Sequence, residues 1–227
     1  MKFNKLTISV FLAILLHVCG AFGILFTPYR YWFVAHTPIN LLLMTFLLIW
    51  NQSSTNKAFF IFAFICFFTG MLTEIIGVNT GLLFGNYSYG NVMGLKLMGV
   101  PLLIGVNWFV LVYCCIILME KLHSQLIKKY HELDTEPPKK LMNLSLVIDA
   151  ALLATAFDWL MEPVAVKLNF WQWESMYIPL FNYFCWFIIA CFLINIARKL
   201  SFNKINAFAI HLLIIQTLFF LTLSIFL

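Results

Sequence analysis

Three carboxylic acids, Glu74, Asp158 and Glu162, stand near the ends of two otherwise apolar segments of this chain. Each segment is followed by a stretch that is rich in aromatic residues. Ionisable side chains are costly inside the hydrocarbon core of a membrane, and they usually mark a functional site there. If the two segments place the three acids together at one membrane face, the combination predicts acid–base chemistry on a lipid-soluble molecule.

The neighbouring apolar segments carry polar residues at a matching depth. Asp158 and Glu162 are four residues apart and therefore share one helix face. Two segments that run in the opposite direction carry asparagine and tryptophan near their outer ends, namely Asn107, Trp108, Asn182 and Trp186. Because these residues come from different segments and agree in depth, we expect them to form one site with the acids. The alternative is that the acids lie in the headgroup layer, paired with Arg30, Lys96 or Lys167.

The composition identifies an integral membrane protein, since 63% of the residues are hydrophobic and only 10% are charged. Seven apolar segments are each close to the ~20 residues that a helix needs to cross a bilayer. They are residues 6–26, 34–50, 57–76, 100–119, 141–161, 177–197 and 205–226. Backbone polar groups in lipid must be paired internally. We therefore predict an all-α, polytopic membrane helix bundle with about seven transmembrane helices, forming one domain over residues 1–227.

The distribution of lysine and arginine predicts that the N-terminus lies inside. Eleven of the 14 basic residues then fall inside, as expected from the positive-inside rule. These are Lys2, Lys5, Lys57, Lys121, Lys128, Lys129, Lys139, Lys140, Arg198, Lys199 and Lys204. The net charge of +5 is therefore interpreted as a topology signal and not as a nucleic-acid footprint. We expect a multi-pass protein of the cytoplasmic (inner) membrane, surrounded by lipid.

The first apolar segment resembles a signal peptide, but it continues to Phe26 without a cleavage motif, which indicates an uncleaved helix. The six cysteines form no C-x-x-C pair and are expected to be small buried residues. They are Cys19, Cys66, Cys114, Cys115, Cys185 and Cys191. This pattern argues against a disulfide oxidoreductase.

Two loops between the apolar segments differ from ordinary solvent loops. Residues 77–99 contain six glycines with aromatic residues between them, and residues 163–176 contain Trp171 and Trp173. Irregular backbone at membrane depth is tolerated where protein buries it, so we expect both loops to pack over the outer mouth of the bundle. Trp171 and Trp173 are individually interpreted as anchors at the membrane interface.

Other titratable residues are interpreted as structural. Asp149 lies near mid-membrane and, nine residues before Asp158, points to roughly the opposite helix face. We expect it to form a hydrogen bond or ion pair with His17 or His211, which lie at similar depth. The hydrophilic stretch 120–140, with His123 and His131, is predicted to extend the fourth transmembrane helix as a solvated connector.

The available groups predict proton transfer without a cofactor or a metal. The chain has no H-E-x-x-H motif, no Cys/His cluster, no phosphate loop and no paired acidic motif for a diphosphate. A carboxylic acid in an apolar pocket can stay protonated near neutral pH and could protonate an isolated alkene. Aromatic faces could stabilise the resulting cation, and a second carboxylate could orient water or remove a proton. Capture by water gives a hydratase, and capture by an internal double bond gives a cyclase.

Several motifs resemble the integral-membrane carotenoid biosynthesis protein family over about residues 70–190. They are Glu74-Ile75-Ile76-Gly77-Val78, Thr80-Gly81, Phe84-Gly85-x-Tyr87-x-Tyr89, Gly94-x-Lys96-Leu97-x-Gly99-Val100-Pro101-Leu102, Asn107-Trp108, Asp158-x-x-x-Glu162-Pro163, Trp171-x-Trp173, Pro179, Asn182 and Trp186. The family includes carotenoid 1,2-hydratases and is distantly similar to heterodimeric-type lycopene cyclases. The chain departs from it where Glu162 replaces an aspartate and Tyr177 replaces a glycine, changes that bear on the substrate more than on the reaction class.

The resemblance implies addition of water to the terminal C1–C2 double bond of an acyclic carotenoid end group, giving a tertiary alcohol. It implies Asp158 or Glu162 as proton donor and Glu74 as the group that positions water or tunes the pair. Asn107 and Asn182 would hold water or orient the acids. Tyr87, Tyr89, Trp108 and Trp186 would line the end-group pocket. Other carotenoid enzymes are candidate partners.

Three alternatives remain open at this point. A lycopene-type cyclase would quench the same cation internally in a drier pocket. A seven-span, proton-coupled transporter or sensor would spread its carboxylates through the bilayer depth. A carotenoid-binding subunit would keep its function after the carboxylates are changed to amides.

Overall fold

Eight α-helices and four short strands are present in the computed structural model, which describes residues 4–175 and 177–227. The helices are α1 Lys5–Phe26, α2 Arg30–Ala35, α3 Thr37–Trp50, α4 Lys57–Thr80, α5 Leu102–Glu132, α6 Lys139–Lys167, α7 Leu180–Lys199 and α8 Ala207–Phe226. The strands are β1 Tyr87–Tyr89, β2 Lys96–Leu97, β3 Val100–Pro101 and β4 Trp171–Trp173. The predicted all-α, polytopic bundle is confirmed. Lys2, one of the predicted inside cations, lies outside the described residues.

Six helices are long and apolar enough to cross a membrane, namely α1, α4, α5, α6, α7 and α8. The predicted span over 34–50 is present only as the 14-residue α3, which starts at Thr37 with Pro38 in its first turn. Pro38 has no N–H to continue a helix from the preceding residues. Lys5 Nζ donates to the carbonyl of Trp50 at 3.2 Å, so α1 starts where α3 ends. The count of seven spans and the side of the N-terminus stay predictions.

The helices that carry the acids are longer than the apolar segments indicated. Helix α4 continues to Thr80, where Gly81 ends it in a left-handed conformation with φ of 67°. Helix α6 continues past Pro163 to Lys167. The prediction that Glu74 and Glu162 stand at helix ends is therefore wrong. Hydropathy marks only the apolar part of a helix, whereas backbone hydrogen bonding continues into polar residues.

Helix α5 lies at the centre of the bundle. Its ten consecutive residues 108–117 are all buried, as expected for a helix that is apolar on every face. It packs against α3, α4, α6, α7 and α8. Helix α4 approaches it closely at Gly70, where an added Cβ would lie 2.5 Å from Cδ1 of Trp108. The missing side chain at Gly70 therefore sets the position of the Trp108 indole.

We expect Gly70→Ala to destabilise the protein by about 1–3 kcal/mol, because the new methyl group overlaps the Trp108 ring. The measurement is thermal unfolding of the purified protein in detergent. Gly20→Ala is the matched control, since its Cβ would meet only Phe219 at an ordinary 3.6 Å. Equal stability of the two variants would contradict the close approach of α4 and α5.

The two aromatic loops cover one end of the bundle, which we call the capped end. Strand β1 pairs antiparallel with β4, and Tyr87 lies opposite Trp173 while Tyr89 lies opposite Trp171. The amide of Gly90 donates to the carbonyl of Phe170 at 2.9 Å and extends this connection. The prediction that both loops pack over the mouth of the bundle is confirmed.

Asp149 has partners other than those predicted. Its Oδ2 accepts from Ser145 Oγ at 2.6 Å and lies 3.4 Å from His123 Nε2. His17 bonds the carbonyl of its own helix at Ala13, and His211 is exposed. The expected pairing of Asp149 with His17 or His211 is therefore wrong. The cause is that the long helix α5 brings His123 against α6, where this histidine is buried.

The extension of the fourth transmembrane helix into residues 120–140 is confirmed, since α5 runs to Glu132. His131 lies 3.6 Å from Glu136 on this exposed stretch, whereas the burial of His123 departs from a solvated connector. All six cysteines are free, and four of them are buried as predicted. Cys19 is exposed and Cys191 is partly buried.

Candidate active site

All nine residues that the sequence singled out line one cavity of about 30 Å³ beneath the capped end. They are Glu74, Tyr87, Tyr89, Asn107, Trp108, Asp158, Glu162, Asn182 and Trp186. The remaining lining residues are Phe84, Ile104, Met161, Trp171 and Trp173. The three acids are almost fully buried, with exposures of 4% for Glu74, 1% for Asp158 and 2% for Glu162. Helices α4, α5, α6 and α7 and the paired strands all contribute to this cavity.

Glu74 accepts hydrogen bonds from three side chains. The hydroxyls of Tyr87 and Tyr89 both donate to Oε2, the latter at 2.7 Å. The indole Nε1 of Trp108 donates to Oε1 at 3.0 Å. Gly77 makes room for this arrangement, since an added Cβ there would lie 2.9 Å from the Tyr87 hydroxyl. Both oxygens of Glu74 are thus held in place by uncharged donors.

The tyrosines on the capping strand stay protonated at neutral pH. Burial raises the pKa of the Tyr87 and Tyr89 hydroxyls well above the usual range, and the negative charge of Glu74 raises it further. Each hydroxyl therefore keeps its proton and remains a hydrogen-bond donor to Glu74. This contact ties strand β1 to helix α4.

Glu162 is held by the second capping strand. The indoles of Trp171 and Trp173 donate to its Oε2 at 2.9 and 3.0 Å. The interpretation of these two residues as interface anchors is therefore wrong, because both indole N–H groups point into the site. Their spacing of two on a strand was the available signal, since alternate strand residues share a face.

Asp158 has the fewest partners of the three acids. Asn182 Nδ2 donates to Asp158 Oδ2 at 2.9 Å and lies 3.3 Å from Glu162 Oε1, so one amide bridges both carboxyl groups. Within the described part of the chain, no donor reaches Asp158 Oδ1. Asp158 thus keeps one carboxyl oxygen available to another molecule.

No cation neutralises the three acids among residues 4–175 and 177–227. The ion pairs found there are His123 with Asp149 and His131 with Glu136. The predicted pairing of the acids with Arg30 or Lys96 is therefore wrong, since Arg30 contacts the carbonyl of Lys167 and Lys96 contacts that of Tyr89. Over the same residues, no three His, Cys, Asp or Glu side chains are arranged to hold a metal ion.

Two tryptophans form a flat aromatic wall beside the acids. The rings of Trp108 on α5 and Trp186 on α7 stack with centroids 3.7 Å apart and planes 9° from parallel. Trp186 lies one turn after Asn182 on the same helix face. The negative face of an indole attracts a cation. Both rings line the cavity, so this aromatic pair lies beside any positive charge that develops there.

A larger apolar groove of about 430 Å³ adjoins the cavity between α1, α3, α5, α6 and α8. Ile104, Asn107, Met161 and Trp171 line both spaces and form the boundary between them. The groove also reaches exposed residues on the outside of the bundle, including Cys19, Trp32 and Ile39. Sequence reasoning did not identify the groove, because its lining comes from helices far apart in the chain.

We expect Trp173→Phe to lower the rate of the acid-catalysed reaction at this site about 3- to 10-fold. The reason is that Glu162 loses one hydrogen bond of about 0.5–1.5 kcal/mol. The measurement is the initial rate in membranes that contain equal amounts of each variant. Trp159→Phe is the control, since Trp159 is 64% exposed on the outside of α6. A matching loss in both variants would show that tryptophan content, and not the bond to Glu162, causes the effect.

Comparison with known families identifies the family of this chain. The sequence model described as carotenoid biosynthesis protein matches residues 34–227. The matched range contains every residue of the cavity and leaves out α1, which lines part of the groove. No curated protein and no solved structure matches the chain.

Proposed function

This chain belongs to the carotenoid biosynthesis protein family, and we propose that it hydrates the terminal C1–C2 double bond of an acyclic carotenoid end group. The observation that supports the proposal most directly is the environment of the Asp158 carboxyl group. Among the described residues no donor reaches one oxygen of this carboxyl group, which lies at a small cavity that adjoins an apolar groove. A proton donor at the end of a hydrocarbon-binding space suits an enzyme that protonates an alkene.

The substrate would enter from the membrane. The groove is mostly apolar and reaches the outside of the bundle, and its volume of about 430 Å³ lies within the usual range of ligand sites. A polyene lying in the groove can direct one end group past Met161 towards the acids. We propose the cytoplasmic membrane as the location, where the enzymes that make the polyene are candidate partners.

The proton would come from the acid cluster. Three negative charges this close together, without a neighbouring cation, would repel each other strongly, so the cluster keeps at least one proton. Glu74 and Glu162 receive three donors each, counting the long contact from Asn182, whereas Asp158 receives one. Uncharged donors stabilise a carboxylate. We therefore assign the proton to Asp158 and the ionised form to Glu74 or Glu162.

The reaction has two steps. The Asp158 proton forms the new C–H bond at C2, and the π electrons of the double bond supply that bond. The tertiary cation at C1 then lies near the stacked Trp108 and Trp186 rings. A water molecule attacks C1 through its oxygen and releases a proton to a carboxylate of the cluster. The net change is the addition of one water, and the cluster regains its proton.

The polar lining of the cavity supports hydration over cyclisation. A space of about 30 Å³ exceeds the ~10–15 Å³ that one water requires, and carboxyl and amide groups line it. Cyclisation would start from the same cation, with an internal double bond in the place of water. The cyclase is therefore the second candidate, and the two differ in product mass.

The test is expression of the chain in a host that makes lycopene or γ-carotene, with the pigments resolved by chromatography and mass spectrometry. We expect a new pigment heavier by one water. A new isomer of unchanged mass that contains a ring would instead identify a cyclase. Unchanged pigments in cells that contain the protein would overturn both reactions for these substrates and favour a carotenoid-binding subunit or a transporter.

A further inference from the structure

Three amides in the groove lack hydrogen-bond partners within the described chain. They are Asn40 on α3, Asn107 on α5 and Gln216 on α8. Asn40 Oδ1 is the one fully buried side-chain N or O atom there that has no partner. Amides elsewhere on apolar helices do find partners, since Asn79 bonds the carbonyl of Ile75 and Asn195 that of Cys191. The groove amides are therefore exceptions that need a physical reason.

A hydrocarbon ligand does not supply that reason. Burying an amide against hydrocarbon without a hydrogen bond costs about 1–3 kcal/mol. His17 adds a further polar group. Its Nδ1 is hydrogen-bonded to the carbonyl of Ala13, and its Nε2 has no hydrogen-bond partner among the described residues. A site that only bound a polyene would gain by replacing these side chains with leucine. Their presence indicates a second occupant that both donates and accepts hydrogen bonds.

The position of the amides suggests what this occupant is. Asn107 lines both the groove and the acid cavity, so the polar residues lead to the acids. His36 and Thr37 line the groove where α3 begins, near the capped end. The capping strands close the direct route, because Trp171 and Trp173 on β4 cover Glu162. A small hydroxyl compound can thus reach the acids along the groove.

We propose that Asn40, with Gln216 and Asn107, forms a binding site for the water that the reaction consumes. This inference rests on the proposed hydration. A buried water needs two to four polar partners, which the amides of the groove can provide. In return, water can donate a hydrogen bond to Asn40 Oδ1. Asn40 is a positioning residue in this scheme, because it delivers water and does not touch the reacting carbon.

The test compares wild type, Asn40→Leu and Gln216→Leu in a host that makes lycopene. We expect the rate of hydrate formation to fall about 3- to 10-fold in each variant, the equivalent of one lost hydrogen bond. Pigment bound per protein should stay unchanged, and the share of isomer with unchanged mass should rise as the cation loses a proton instead. Asn40→Ser, which keeps a polar group, should recover part of the hydrate.

The controls separate the possible failures. Asn195→Leu removes an amide from α7 outside the groove and should hydrate as wild type does. Lycopene carries no oxygen. A lower rate of hydrate formation from lycopene therefore cannot result from a lost contact with a hydroxyl group on the pigment. Wild-type hydration in Asn40→Leu would overturn this inference and leave the proposed function intact. A wild-type chain that forms no hydrate would overturn both.

Discussion

Replacing Asp158 by asparagine is expected to lower the initial rate of hydrate formation by about 10²- to 10⁴-fold, the usual contribution of a general acid. Asparagine keeps the size of the side chain and can still accept from Asn182, but it has no proton to give to the alkene. The measurement is the rate of formation of the pigment heavier by one water, in membranes with equal protein and equal bound carotenoid.

Asp149→Asn is the matched control for this experiment. It makes the same chemical change on the same helix, at a carboxyl group whose partners are Ser145 and His123. We expect hydration at the wild-type rate. If Asp158→Asn stayed active while Glu162→Gln did not, the proton donor would be Glu162. If both stayed active, the acid cluster would have no part in the chemistry.

Replacing Glu74 by glutamine is expected to reduce both stability and activity. The side chains of Tyr87, Tyr89 and Trp108 all donate to Glu74, two of them to one oxygen and one to the other. If the amide NH₂ faces Trp108, it meets the indole N–H, and if it faces the two tyrosines, their hydroxyl protons lose their acceptor; either arrangement costs about 1–3 kcal/mol. Loss of the charge should also slow hydration by about 10²-fold, since no carboxylate remains there to orient water. Thermal unfolding and initial rates measure the two effects separately.

A double variant distinguishes the structural from the chemical part of this effect. In Glu74→Gln combined with Trp108→Phe, the NH₂ group can face the space that the indole N–H occupied. We expect stability to recover relative to Glu74→Gln alone, because the donor–donor contact is removed. Activity should stay low. Recovery of activity together with stability would mean that Glu74 only holds the capping strand in place.

Much of the site could be predicted because its residues are costly where they stand. An acid or an amide on an apolar helix is destabilising unless something uses it, so residue type and depth alone pointed to Glu74, Asp158 and Asn182. The spacing of Asp158 and Glu162 predicted a shared helix face, and Asn182 contacts both acids. The family resemblance pointed to the same residues.

Two of the errors have a common cause. Asp149 was assigned to the histidines at its own depth, whereas His123 is its neighbour because α5 extends beyond the apolar segment. Trp171 and Trp173 were interpreted one at a time as anchors, whereas the pairing of β4 with β1 turns both indoles towards Glu162. Both errors concern contacts that depend on the packing of segments distant in the chain.

The amino-acid sequence is sufficient to predict the helical membrane architecture and the helix face that Asp158 and Glu162 share. These properties depend on hydropathy and on the 3.6-residue helical repeat, which are local. The tertiary structure is needed to show that three donors meet at Glu74, that no donor among the described residues reaches Asp158 Oδ1, and that the groove lined by Asn40 adjoins the acid cavity. Those features depend on how helices pack around α5, and packing joins side chains whose separation in sequence carries no signal of their contact.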